Sequence, residues 1–453
     1  MLTSNKLNRI LPVNTPISIS QWSSSTYIEN QAATLASTCS LDTSARPFAW
    51  PYLLTAGQAD FKNEQELSTR LQLYFLLQQI VNLSTEEVSQ YYSSQGAVEE
   101  WRDTARRIRT DAERVTTQPE TFSLESGLRD KNIPLLRRLL ETYAIADPAV
   151  GYCQGMSDLA APVIEMYVKS SEGNQDCSNV SMGQHHPELQ RGEEAQGQGS
   201  CHKMECNIFW CFWGILQHMR ANFLRGMVRV KEDIAAVKML TSNVDTRLHS
   251  HICQVGAGGF EFCFQMLLLL LRRELPWCEA NMLWDSLFAR HALLHHGLDR
   301  KCPKCLKWED LMTSSQLKSP NSFPEVDNRG EELSVEQPTD KGSSTHPDIL
   351  LDWREPKFAQ KLGPIFKASD DMLRALSIAS TTALLVQHRK SYLACNNLPE
   401  IVQLSNKLPD LGPGIGLKLA SQAMSLILQD LERGTLPHGV VSVEAASCTC
   451  YGP

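Results

Sequence analysis

The chain has 453 residues, a formal net charge of −8 and a pI near 5.9. This acidic balance argues against a nucleic-acid partner, because proteins that bind nucleic acids usually carry a basic domain. Hydrophobic residues make up 42% of the sequence, enough for a sizeable core. The length suits two or three domains, or one large helical domain with insertions.

Neither the apolar runs nor the cysteines indicate a membrane-spanning or secreted protein. The longest leucine run covers 267–271 and arginine follows at once, whereas a bilayer span needs roughly 20 apolar residues. The first ten residues lack the apolar core of a signal peptide, and the 14 cysteines show no regular spacing. We therefore expect reduced thiols in a cytoplasmic protein, with no transmembrane segment and with membrane association only peripheral, through a partner.

Apolar periodicity predicts a series of helices in the first part of the chain. Residues 1–40 are rich in Ser, Thr and Asn, and we expect them to be disordered. Helical spacing of apolar residues follows at 63–83, 98–111, 135–143 and 154–168. The pair Asp147-Pro148 should end the third of these helices, because a residue before proline avoids the α region.

Two polar stretches, 170–204 and 301–347, interrupt the second part. Both contain few large apolar residues and cannot bury enough surface to offset the entropy of ordering, so we predict disordered insertions. Further helices are predicted at 206–224, 234–248, 260–275, 282–294, 364–389 and 406–432. Strands do not alternate with helices, so the predicted fold class is all-α, with one helical domain at 41–432 and a disordered tail at 433–453.

Arg114, which ends the string IRTDAER, is the first candidate functional residue. Its guanidinium is always charged and offers a planar fork to phosphate oxygens. Asp111 lies one helical turn earlier, where it can pair with Arg114, and Ile108 would anchor the turn in the core. Several other arginines lie close by, so a solvated basic helix face is the competing interpretation.

Gln154, in the string YCQGM, is the second candidate. A neutral amide both donates and accepts hydrogen bonds, which suits the orientation of a water molecule. The competing interpretation is a polar residue at a helix start that satisfies a free backbone amide. Tyr152 fits core packing with its hydroxyl on a local partner.

Three strings in this order resemble motifs of the TBC domain of Rab GTPase-activating proteins. RPFAW places Arg46 and Trp50 at the spacing of the first motif, while IRTDAER and YCQGM match the second and third. The resemblance covers about residues 46–295 apart from the first insertion, and more weakly the region to about 432.

The resemblance implies an all-helical, V-shaped domain whose groove accepts the nucleotide face of a Rab-family small GTPase. Arg114 would be an arginine finger and Gln154 a glutamine finger, both supplied in trans to stimulate GTP hydrolysis. The remaining motif residues would support them: Ile108, Asp111, Tyr152, Arg46 and Trp50. The protein would be an activator in vesicle trafficking rather than an enzyme with its own substrate. It would need no cofactor beyond the GTP and Mg bound to its partner, and it has no glycine-rich phosphate loop of its own.

Two departures from the family pattern keep a second hypothesis open. TCSLDTS precedes Arg46 where the family usually has a helix and a turn, and Gln265 and Met266 stand where Arg-Trp is common. The alternative is a scaffold of the same fold that binds a Rab or another partner without accelerating hydrolysis.

A third hypothesis, a zinc-stapled adaptor, depends on the string HHGLDRKCPKC. Cys302 and Cys305 have the spacing of half a zinc site, with His295 and His296 nearby. No second cysteine pair lies at zinc-ribbon spacing, and adjacent histidines are awkward partners in a tetrahedral site. We therefore expect no metal.

Overall fold

The computed structural model describes residues 16–18, 40–54, 64–82, 95–115, 120–123, 127–147, 149–171, 194–224, 226–296 and 370–433. The predicted all-α class is confirmed. Within these ranges the only pairing of extended segments is a single parallel bridge between Ile17 and Leu41.

The helices of the first part are α1 (Arg46–Leu54), α2 (Glu64–Val81), α3 (Gln95–Glu113), α4 (Arg129–Ala146), α5 (Met156–Ser171), α6 (Glu194–Phe223) and α7 (Val228–Val244). Those of the second part are α8 (Thr246–Ile252), α9 (Phe264–Leu268), α10 (Trp277–His296), α11 (Asp370–Gln387), α12 (Arg389–Ala394), α13 (Leu398–Asn406) and α14 (Ile415–Arg433). Short 3₁₀ turns at Glu120–Phe122 and Glu261–Cys263 and a π turn at Cys253–Ala257 connect some of them.

The core is built around α6, which packs against α1, α2, α4, α5, α7 and α11. Its apolar face carries Phe209, Trp210 and Trp213, whose rings lie 5.1–6.2 Å apart between centroids. Aromatic pairs at this separation add to the stabilisation that burial gives. A second group, α10, α11 and α14, packs together beside it.

Two contacts of the core position the motif residues. Helices α3 and α5 both pack against α4, which brings the end of α3 and the start of α5 to one region of the molecule. Helix α1 packs against α10, far away in sequence.

The helix predicted over 260–275 is wrong in its second half. Helix α9 ends at Leu268, and Leu270 and Leu271 have φ values of 48° and 58°. A left-handed residue cannot continue a right-handed helix. The indole of Trp284 donates a hydrogen bond to the carbonyl oxygen of Leu270 at 2.9 Å, so tertiary contacts override the helical pattern of the leucine run.

The helix predicted over 234–248 is divided at Asp245. The carboxylate of Asp245 accepts a hydrogen bond from the amide of Leu248 at 2.9 Å, which makes it the N-cap of α8. The same residue therefore ends α7 and starts α8.

Several predicted boundaries differ from those observed. Helix α6 begins at Glu194, inside the insertion predicted at 170–204, because Glu, Ala and Gln there favour a helix. Residues 16–18 lie against 40–42, with the amide of Ile17 donating to the Ser40 carbonyl oxygen at 3.0 Å. The rest of 1–40, positions 172–193, the insertion predicted at 301–347 and all but the first residue of the tail lie outside the described residues.

Candidate functional site

Arg114 is the first residue after α3, and its amide hydrogen-bonds the carbonyl oxygen of Asp111 at 3.2 Å. Its side chain is 70% exposed. Ile108, two turns back, is fully buried and fixes this end of the helix in the core. Arg106, in the middle of the same helix, forms an ion pair with exposed Asp103, so the competing interpretation of a solvated basic helix face stays open for Arg114.

Asp111 joins the two motifs. One carboxylate oxygen lies 3.7 Å from Nη1 of Arg114, and the other accepts a hydrogen bond from the hydroxyl of Tyr152 at 2.9 Å. The Asp111 side chain is only 13% exposed, so both contacts are partly shielded from water. Asp111 therefore contacts a residue of each string, and its organising role stays a prediction.

Gln154 lies in a short loop, residues 151–155, which we call the glutamine loop. Gly151 and Gly155 flank it with φ values of 61° and 100°, a conformation that favours glycine. The side chain of Gln154 is exposed immediately before α5 begins. Because Tyr152 in this loop binds Asp111, the glutamine loop lies beside the end of α3 that Arg114 follows.

The phenol of Tyr152 stays protonated. Burial raises its pKa, and the negative charge of Asp111 and the hydrogen bond to that carboxylate act in the same direction. A protonated phenol can donate to Asp111, which keeps that carboxylate in place beside Arg114.

We expect Tyr152→Phe to lower the free energy of unfolding by about 1–3 kcal/mol, because it leaves a shielded carboxylate without its donor. Urea unfolding followed by circular dichroism measures the change. The comparison variant is Tyr167→Phe, which loses a bond to the neutral carbonyl oxygen of Pro47 at 3.0 Å and should cost about 1 kcal/mol. Unaltered stability of Tyr152→Phe would contradict the expectation.

Arg46 and Trp50 support the fold through a residue that the sequence analysis missed. Asp285 on α10 accepts from Nη2 of Arg46 at 3.0 Å and from the indole of Trp50 at 2.7 Å. It also accepts from the amide of Leu41 at 3.0 Å. An acid inside the apolar string LWDSLFA is the signal that could have indicated a buried partner.

A second missed contact lies beside the glutamine loop. Arg273 donates to the carboxylate of Asp158 at 2.8 Å, and Asp158 is in the first turn of α5.

The described residues do not include the candidate zinc ligands Cys302 and Cys305 or the side chains of His295 and His296. Within the described part of the chain, no group of three or more potential ligands could hold a metal ion.

Comparison with known proteins identifies the family. The model of the Rab-GTPase-TBC domain family matches residues 43–299. The chain belongs to this family. The resemblance seen in the three motifs is thereby confirmed.

Two relatives of this chain are distant in sequence. The chain is 24% identical over 314 residues to the GTPase-activating protein GYP7 of Candida glabrata, covering 63% of this chain and 37% of that protein. To the human TBC1 domain family member 22B it is 28% identical over 203 residues, or 44% and 36% of the two chains. The chain thus matches little more than a third of the length of these relatives.

The same fold is found in a crystal structure of the Ypt/Rab-GAP domain of Gyp1p. The TM-score is 0.56 at 13% identity, and the match covers 90% of this chain and 95% of that chain. The described part of the chain contains no helix both long and apolar enough to cross a membrane.

Proposed function

We propose that this TBC domain is a GTPase-activating protein for a Rab-type small GTPase, with Arg114 and Gln154 entering the partner's nucleotide site. The observation that carries the proposal is Asp111, which contacts Arg114 directly and binds Tyr152, two residues before Gln154. Membership of the family and the names of its relatives support it further.

The chemistry suits a slow GTPase. Charge that spreads over the phosphoryl oxygens in the transition state is stabilised by an arginine supplied in trans, and a glutamine can orient the attacking water. Neither residue needs to change its protonation state, so both act by position and charge alone.

Placement of the two side chains before the partner arrives is part of the proposal. Arg114 follows the last turn of α3, anchored by buried Ile108, and Asp111 limits the directions its guanidinium can take. Preorganised groups of this kind stabilise a transition state without reorganisation during the reaction.

The proposed partner brings the GTP and Mg on which the pair acts, so the activator needs no cofactor of its own. Recruitment to an endomembrane during vesicle trafficking would come through that partner, from a cytoplasmic location. The absence of a cofactor, the location and the recruitment all follow from the proposed activity and are tested with it.

Single-turnover GTP hydrolysis by a panel of purified Rab proteins, with and without this chain, tests the proposal. We expect acceleration of at least one Rab. Gln154→Ala should reduce the stimulated rate about 10²-fold, as loss of one preorganised hydrogen-bonding group does.

The matched control is Gln254→Ala, which removes an exposed amide from the π turn and should leave the stimulated rate unchanged. If the unmodified chain accelerates hydrolysis by no Rab in the panel, the proposed function is wrong. Equal losses in the two glutamine variants would remove Gln154 from the proposal.

A further inference from the structure

Residues 269–275, which connect α9 to α10, form what we call the leucine turn. Leu270 and Leu271 both adopt left-handed backbone conformations. Such conformations are unfavourable for leucine and persist only where the surroundings enforce them. Strained segments of this kind cluster at functional sites.

Several contacts hold the leucine turn in place. The amide of Leu271 donates to the carbonyl oxygen of Met266 at 2.9 Å, and the Trp284 indole donates to the Leu270 carbonyl oxygen at 2.9 Å. The guanidinium carbon of Arg272 lies 3.7 Å from the ring centroid of Trp277. The turn is therefore fixed to α9 and α10, independently of the glutamine loop.

The leucine turn meets the glutamine loop and the start of α5 at two points. A Cβ atom at Gly155 would lie 3.0 Å from Cδ2 of Leu269, so the leucine turn packs closely on the loop at this glycine. Four residues further on, Nη2 of Arg273 donates to Asp158 at 2.8 Å. The backbone amide of Asp158 donates a hydrogen bond to the carbonyl oxygen of Gly155 at 2.9 Å, which links Asp158 to the end of the glutamine loop.

The negative charge of Asp111, in the string IRTDAER, also acts on Arg273. The hydrogen bond that Arg273 donates to Asp158 raises the pKa of Arg273, and the negative charges of Asp158, Glu274 and Asp111 act in the same direction. Asp111 is the residue that contacts Arg114 and Tyr152. The Arg273 side chain is 43% exposed, and its ion pair with Asp158 ties the leucine turn to the first turn of α5.

We propose that Arg273 is a positioning residue for Gln154. Its ion pair with Asp158 fixes the first turn of α5, and Leu269 supports the loop at Gly155, so that Gln154 is presented in one orientation. This inference rests on the proposed function. A positioning role differs from a purely structural one because it predicts that the loss of stimulated rate in an Arg273 variant depends on Gln154.

Kinetics of stimulated GTP hydrolysis test the positioning role. Arg273→Met should lower the maximal stimulated rate about 10- to 100-fold, the cost of a small misplacement of a reacting group. The concentration of activator that gives half the maximal rate should change little. Arg273→Lys keeps the charge and should recover part of the rate, whereas the control Arg106→Met removes an exposed helical ion pair and should have no effect.

A double variant separates positioning from stability. In a Gln154→Ala background, Arg273→Met should lower the remaining rate less than about 2-fold, because residues that act as one unit are not additive. Full additivity of the two losses would overturn the proposal, as would an undiminished rate in Arg273→Met. A chain that stimulates no Rab would instead overturn the proposed function.

Cys153 supplies a readout that does not need the GTPase. Its partly buried thiol adjoins Gln154, and burial raises its pKa, so alkylation should be slow in the unmodified chain. We expect iodoacetamide to label Cys153 several-fold faster in Arg273→Met than in Arg106→Met, measured by mass spectrometry of the peptide. Equal labelling rates would show that Arg273 does not order the loop and would overturn the proposal.

Discussion

Arg114→Ala is expected to remove nearly all stimulation of GTP hydrolysis, lowering the stimulated rate about 10³- to 10⁵-fold. That loss corresponds to roughly 4–7 kcal/mol of transition-state stabilisation. The reason is that alanine leaves the charge on the phosphoryl oxygens without its cation. Because the Arg114 side chain is 70% exposed and follows the end of α3, the fold should be unaffected.

Three measurements make this prediction specific. Single-turnover hydrolysis gives the rate, binding to the Rab loaded with a non-hydrolysable GTP analogue gives affinity, and circular dichroism gives helicity. Arg114→Lys should recover only a small part of the rate, since an ammonium lacks the planar fork. Arg106→Ala, on the same helix, should behave as the unmodified chain. A stimulated rate that survives in Arg114→Ala would show that another group stabilises the charge.

Asp285→Ala is expected to lower the free energy of unfolding by about 3–5 kcal/mol, which is the usual cost of leaving one member of a buried ion pair without its partner. Arg46 is buried, and Asp285 is the residue that takes its Nε and Nη2 hydrogen bonds. Although burial acts to lower the pKa of Arg46, the charge of Asp285 raises it overall, so Arg46 is charged in the folded protein. The substitution also removes the acceptor of the Trp50 indole.

Urea unfolding measures the effect against a matched pair on the surface. Asp103→Ala breaks an ion pair with Arg106 in which both side chains are mostly exposed, and it should change stability by about 0–1 kcal/mol. Replacing both buried partners, as Arg46→Met with Asp285→Leu, should cost less than Asp285→Ala alone, because no charge is left unpaired. Comparable losses for Asp103→Ala and Asp285→Ala would contradict this account.

The sequence was informative where local patterns decide structure. Helical spacing of leucines predicted α4, and Asp147 ends it as expected, with its amide bonded to the Tyr143 carbonyl oxygen at 2.9 Å. The motif order predicted the family, and Ile108, which was expected to anchor its turn in the core, is fully buried. Whether Arg114 and Gln154 act on a GTPase stays a prediction.

Tertiary contacts decided what the sequence could not reveal. A run of five leucines is compatible with a helix. The hydrogen bond from the Trp284 indole to the Leu270 carbonyl oxygen, together with the surrounding contacts, explains why Leu270 and Leu271 adopt non-helical backbone conformations. Similarly, nothing near Arg46 in the sequence indicates that its partner is Asp285, because the two are separated by 239 residues. Periodicity reports which face of a helix is buried, but not what it is buried against.

The distance in sequence between Arg46 and Asp285 has a consequence for synthesis of the chain. At roughly 5–20 residues per second, the acceptor is translated about 10–50 s after the arginine. During that interval the nascent α1 has neither its counter-ion nor the surface of α10 on which it packs, so its guanidinium stays hydrated. Helix α1 is therefore secured only late in synthesis, and the part of the domain around it cannot complete its folding until α10 has left the ribosome.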